Sequence, residues 1–202
     1  MIEIKDLNKA FGDHIIFEDF SLKIENGEFV VFSGESGSGK TTLLNMIGAL
    51  EKWDYGTIIV DNLDLGKKKN QRKYFSEIVG FLFQNFVLIE NKTVRQNLKL
   101  VTKANSSEVT IEEALKRVGL LDKIDSKVYT LSGGEQQRVA LARLMIKDCK
   151  LILADEPTGS LDKKNAEKVI SILDALNKEG KTVIIVTHDE DIKKKGYRVV
   201  EL

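Results

Sequence analysis

The segment Gly34-Glu35-Ser36-Gly37-Ser38-Gly39-Lys40-Thr41 constrains this chain more than any other. Its spacing, G-x-x-x-x-G-K-[ST], is that of a loop that wraps phosphate. Gly34, Gly37 and Gly39 let the backbone curl so that successive N–H groups, with Ser36 and Ser38 among them, converge on one anion. The following residues, Lys40–Leu50, carry apolar side chains at helical spacing, so a helix N-terminus adds its positive end. Lys40 is placed to reach the β- and γ-phosphates, Thr41 to offer a hydroxyl to Mg²⁺, and Thr42 to bond the α-phosphate. The β-branched run Phe29–Ser33 supplies the preceding strand. This pattern specifies a nucleoside triphosphate and leaves kinase, GTPase and ATPase open.

Leu151-Ile152-Leu153-Ala154 is an apolar strand that ends in Asp155-Glu156. In open parallel sheets ligands sit at the carboxyl ends of strands, so both acids point toward the triphosphate. Asp155 is placed to hold Mg²⁺ and Glu156 to polarise the attacking water. Gln84 follows the strand Ile78–Phe83 and could complete the Mg²⁺ shell or sense the γ-phosphate. His188 follows the strand Thr182–Val186 and could bond the γ-phosphate or the attacking water.

Around these motifs the pattern is α/β. Ile2–Leu7 and Ile15–Ile24 alternate as antiparallel strands, Asn26-Gly27 predicts a tight hairpin turn into Phe29–Ser33, and Thr57–Val60 and Tyr197–Leu202 are further strands. From about 85 to 147 the signal turns helical. Thr93 with Gln96 and Thr110 with Glu113 have capping-box spacing. Val94, Leu98 and Val101 share a face, as do Ile111, Leu115 and Val118. A further helix carries Val169, Ile172, Leu173 and Leu176 and ends at Gly180. The expectation is one domain over 1–202: a mixed sheet with crossover helices, interrupted by a helical insert.

Thirty-one basic residues balance 31 acidic ones, so there is no basic excess of the kind nucleic-acid binding asks for. The lysine runs Lys67–Lys69 and Lys193–Lys195 read as solvated turns. The single cysteine, Cys149, fits a buried thiol in a reducing compartment. No signal-peptide pattern opens the chain, and no apolar run approaches the ~18–20 residues a bilayer crossing needs. A soluble cytosolic chain is expected, with any membrane role supplied by a partner.

The deciding segment is Leu131-Ser132-Gly133-Gly134-Glu135-Gln136-Gln137-Arg138. Ser132 and Glu135 form a capping box that starts a helix toward Ile146, and Gly133 and Gly134 leave its first N–H groups uncovered. One chain then carries two anion cradles, which invites an arrangement with each nucleotide between two chains.

With this segment, the chain resembles the ABC ATPase family over essentially its whole length. The motifs stand in family order: the phosphate loop Gly34–Thr42, Gln84, the signature Leu131–Arg138, the acidic strand Leu151–Glu156, the D-loop Ser160-Leu161-Asp162, and His188. The resemblance implies a P-loop NTPase fold of ABC type, with an N-terminal antiparallel β subdomain and a helical subdomain inserted in the nucleotide-binding core. It implies ATP with Mg²⁺, and a head-to-tail homodimer in which Ser132, Gly133 and Gly134 of one chain close over ATP held by the other, with Asp162 also among the nucleotide-binding residues. It implies a separate transmembrane permease and a peripheral place on the cytoplasmic face of the membrane. At the position of the adenine-stacking aromatic stands Phe11, which keeps a stacking face without a hydroxyl; core packing is its other reading.

Glu156-Pro157-Thr158-Gly159-Ser160-Leu161-Asp162 and Phe83-Gln84-Asn85-Phe86 look like the bacterial lipoprotein-release, macrolide-efflux and bacteriocin-export group. The short stretch after His188 leaves no room for the regulatory domain that some importers append. A non-transport ABC ATPase coupled to a membrane protein, as in cell division, is the alternative. A GTPase would need an Asn-Lys-x-Asp segment, and neither Asn91-Lys92 nor Asn177-Lys178 continues as one.

Overall fold

The computed structural model describes residues 1–102, 105–159 and 161–202. The N-terminal alternation builds β1 (Ile2–Phe11) and β2 (His14–Ile24), an antiparallel pair joined at Gly12, whose φ is +60°. Two further strands, β4 (Tyr55–Val60) and the short β5 (Leu63–Asp64), complete a four-stranded sheet in the order β2-β1-β4-β5.

The alternation changes phase inside β1. Ile2 and Ile4 are buried, Lys5 and Asp6 are both exposed, and then Leu7 and Lys9 are buried. Asp6 takes φ +47°, and the pairing register shifts on both sides of it. Gly56 makes room for this bulge, since a Cβ there would meet the Asp6 carbonyl oxygen at 2.3 Å. One extra residue moves later side chains to the opposite face. Lys9 thus turns inward, and its ammonium lies 4.3 Å from the centre of the Phe11 ring.

The phosphate loop belongs to a second sheet. Its strands are β3 (Phe29–Ser33), β6 (Val79–Leu82), β7 (Leu151–Asp155), β8 (Thr182–Val186) and β9 (Arg198–Glu201), in the order β6-β7-β8-β3-β9. All of its pairings are parallel. These strands are apolar on both sides because both faces are covered. Val31, Ile152, Ala154, Val183 and Ile185 pack with α5 (Gly133–Ile146) and α6 (Lys163–Lys178). Val30, Phe32, Leu153 and Ile184 pack with α1 (Lys40–Ile47) and the antiparallel sheet. Full burial of each such aliphatic side chain contributes about 1.5–3 kcal/mol relative to exposure.

The hairpin expected at Asn26-Gly27 is corrected. A turn is present, with Gly27 at φ +78° and the Glu28 N–H donating to the Glu25 carbonyl at 3.4 Å. It does not join paired strands, because β2 and β3 lie in different sheets. A strand buried on both faces, as β3 is, fits between β8 and β9, whereas β2 has alternate residues exposed. The Gly27 N–H donates instead to Thr182 Oγ1 at 2.9 Å.

The helical region holds α3 (Val94–Leu98), α4 (Ile111–Arg117) and α5. Capping boxes form at Thr93, Thr110 and Ser132. Each such cap is worth about 1 kcal/mol. Val101 lies beyond the end of α3 yet still packs on the core. The core runs without a break from α3 and α4 through α5 to the parallel sheet, and it includes the buried Cys149. α2 (Lys68–Lys73) and a π-helical turn, Tyr74–Ile78, connect β5 to β6, and α7 (Glu190–Lys193) precedes β9. No helix among the described residues is long and apolar enough to cross a membrane.

Candidate functional site

The ends of β3, β7 and β8 and the loop after β6 converge on one cleft of about 730 Å³. The loop after β3 forms its floor. Gly34, Gly37 and Gly39 have φ of +144°, +89° and +94°, a region L side chains rarely adopt. Space is equally restrictive. A Cβ on Gly34 would meet the Leu202 carbonyl oxygen at 2.3 Å, and one on Gly39 would meet Ile16 Cγ2 at 2.5 Å. The loop therefore needs glycine there, and α1 starts directly from it.

Lys40 is only 5% exposed. Its ammonium donates to the carbonyls of Gly34 at 3.0 Å and Glu35 at 2.5 Å, which holds it against the loop. Ser36, Gly37, Gly39, Thr41 and Thr42 line the same cleft. The Thr41 hydroxyl donates to Asp155 Oδ1 at 3.1 Å, so a neutral and an anionic oxygen stand side by side. Hard oxygen donors with few carboxylates fit Mg²⁺, which takes its remaining ligands from water and substrate phosphate.

Glu156 occupies the left-handed region at φ +44°, a conformation that persists only when its surroundings impose it. Its N–H donates to the Val186 carbonyl at 3.0 Å, which ties the end of β7 to β8. The side chain enters the cleft. Its Oε1 lies 3.5 Å from His188 Nε2, outside hydrogen-bond geometry, and is otherwise without a partner among the described residues. Burial pushes the Glu156 carboxyl up, partly opposed by His188. Burial also raises Asp155, against the stabilising bond from Thr41.

Gln84 lines this cleft and also an adjoining pocket of about 500 Å³ that Asp155 borders. Phe11 is 51% exposed at the cleft rim, so the core reading of this ring is corrected. The ring belongs to the last residue of β1, beside the turn at Gly12 and past the buried Leu7 and Lys9. His14, paired with Phe11 across the β1–β2 turn, and Ile16 line the cleft too. Sequence reading missed both, since only the register of the hairpin places them.

The signature residues stand elsewhere. Ser132, Gly133 and Gly134 do not line the cleft. Ser132 caps α5 and Asp162 caps α6, whose N-termini pack together. Asp162 accepts from the Asn165 N–H at 3.0 Å and its amide at 2.5 Å, and Arg138 donates to Asn165 Oδ1 at 2.5 Å. Gly134 permits this approach, because a Cβ would meet Asn165 Cγ at 2.8 Å. Ser160 of the D-loop lies outside the described residues.

Comparison with known proteins bears on this arrangement. The family model described as ABC transporter matches residues 17–159. The chain is 41% identical over 209 residues to the macrolide export ATP-binding/permease protein MacB of Campylobacter jejuni, covering 100% of this chain and 33% of MacB. It thus spans about a third of the length of the MacB relatives it matches. It is also 41% identical over 211 residues to the ABC transporter ATP-binding protein YvrO of Bacillus subtilis, covering 99% and 92%. Among solved structures, a dimeric post-hydrolysis state of the ATP-binding cassette MJ0796 bound to ADP and Pi matches with TM-score 0.85 and 36% identity, covering 100% and 94%.

Proposed function

The chain belongs to the ABC transporter family, and from that membership we propose that it is the ATP-hydrolysing subunit that energises a membrane exporter of a peptide, lipoprotein or drug. One observation carries the reading. The cleft holds Lys40, Thr41 and Thr42 of the phosphate loop with Glu156, and Asp155 joins it through Thr41, while Ser132–Gly134, a second anion site in this reading, stands outside it. Head-to-tail pairing of two chains joins the halves, and the dimeric state of the cassette MJ0796 supports pairing as such. The sequence 1–202 acts as one ABC ATPase domain with helical residues 85–147 inserted, on the cytoplasmic face of the membrane beneath a separate permease. The macrolide export role in MacB's name supports export and, of the three substrate classes, a drug.

In this reading Phe11 stacks on adenine, Gly34–Gly39 cradle the phosphates, and Lys40 and Thr42 contact them. Thr41, Gln84 and Asp155 hold Mg²⁺, which when bound neutralises phosphate charge. Glu156 takes up the proton of the attacking water at its carboxylate and aims that water at the γ-phosphate. His188 bonds the γ-phosphate or the attacking water. Ser132, Gly133, Gly134 and Asp162 act across the interface.

The test is Glu156→Gln, assayed by ATP binding, ATP turnover and size-exclusion chromatography with ATP and Mg²⁺. Binding is expected to persist, turnover to fall to background, and a dimer to accumulate. Normal turnover, or a monomer at saturating ATP, would refute the proposal.

A further inference from the structure

A buried amide on the signature helix reaches the chain segment that carries Glu156. Gln137 is 1% exposed, and its Nε2 donates to the Pro157 carbonyl at 2.8 Å. The carbonyl can only accept, so this bond fixes which end of the amide faces it. Gln137 Oε1 is then left buried without a partner among the described residues. A methionine or leucine would fill the same space without a desolvated oxygen. What the amide alone supplies is its N–H to Pro157.

That bond completes a clamp. On one side the Glu156 N–H is held by Val186 of β8; on the other the following carbonyl, that of Pro157, is held by Gln137 of α5. Between the two anchors Glu156 sits at φ +44°, a backbone state that needs external support and is disfavoured before proline. Released from Gln137, the turn has freedom to swing the carboxylate away from His188 and the cleft.

The geometry points to Gln137 as a positioning residue that holds Glu156 in its working orientation and transmits movement of α5 to it. This rests on the reading of Glu156 as the group that directs water. The N-terminus of α5 is the segment that meets the nucleotide of the partner chain in that reading, so one helix links the neighbouring site to the carboxylate of its own. Arg138, through Asn165 and Asp162, gives the same helix a second tie on this side.

The experiment uses the full chain with Gln137→Met, which keeps volume and loses the donor. ATP turnover is measured against ATP concentration, alongside nucleotide affinity and Tm. The expectation is a kcat lower by about tenfold or more with KM and affinity unchanged, since misplacing a reacting group by about 1 Å costs up to about a hundredfold. Tm is expected not to fall, because the orphan oxygen is removed; a purely structural amide would lower Tm and leave kcat alone. Gln137→Leu, equally unable to donate, gives the same kcat loss and serves if the first variant folds poorly. Wild-type kcat in either donor-lacking variant overturns the tie. Normal turnover by Glu156→Gln alone would instead sink the reading of the carboxylate.

Discussion

Thr41 and Asp155 stand 114 residues apart in the chain and meet hydroxyl to carboxylate at 3.1 Å. The first lies in the opening turn of the helix after the phosphate loop, and the second ends β7, next but one to β3 in the sheet. Their meeting makes two motifs one site, and it puts Asp155 and Glu156 in a place poor in water.

Burial raises both carboxyls above their ordinary values of 3.8 and 4.5. A carboxylate that takes a proton from water works only when ionised. Turnover is therefore expected to fall as pH drops through the raised Glu156 value, higher than for an ordinary glutamate. His188 opposes the rise, so His188→Ala moves that limb of its residual activity upward again. Stability responds with the opposite sign. These groups bind protons more tightly folded than unfolded, so their contribution favours the fold as pH falls. A kcat profile whose acid limb lies at or below 4.5 would contradict the assignment.

Lys40→Met is expected to weaken ATP binding by on the order of ten- to a hundredfold, the size of one or two hydrogen bonds from a charged donor. Titration calorimetry with ATP and Mg²⁺ measures it. Affinity equal to wild type would remove Lys40 from the phosphate site.

Ser132 has two tasks that different substitutions separate. Ser132→Ala loses the cap of α5, at about 1 kcal/mol, whereas Ser132→Asp keeps a capping oxygen. Thermal melts should rank alanine below aspartate. Hydrolysis should be crippled in both, since the aspartate repels γ-phosphate, while ATP binding to the monomer is spared. A parallel loss of affinity would place Ser132 in the wrong site.

Phe86 and Val87 follow Gln84 with φ of +59° and +49°. Their carbonyls accept from Arg143 at 3.2 and 2.6 Å. A β-branched residue is strained there by about 1–3 kcal/mol, more than the 0.5–1 kcal/mol that glycine loses in chain entropy. Val87 is half exposed, so little burial is forfeited. Val87→Gly is expected to raise stability by about 1 kcal/mol in urea unfolding; a lower midpoint would show the conformation is unstrained.

Read along the chain, spacing alone located the phosphate loop, the acidic strand, Gln84, His188 and the capping boxes at Thr93, Thr110 and Ser132. Each is a local device: a glycine at positive φ, an apolar run that ends in charge, a hydroxyl three residues before its helix partner. The family resemblance extended this to Phe11 and Asp162. Tertiary structure alone decided the rest. The bulge at Asp6 reverses which face carries Lys9, because one inserted residue flips a period of two, and the pairing of β1 with β2 sets Phe11 beside His14 at the cleft. The turn at Gly27 joins two sheets rather than two partners, because β3 is covered on both faces. The clamp on Glu156 draws on Val186 and Gln137, 30 and 19 residues distant from it in opposite directions. No local pattern records such meetings, because only packing brings those backbones together.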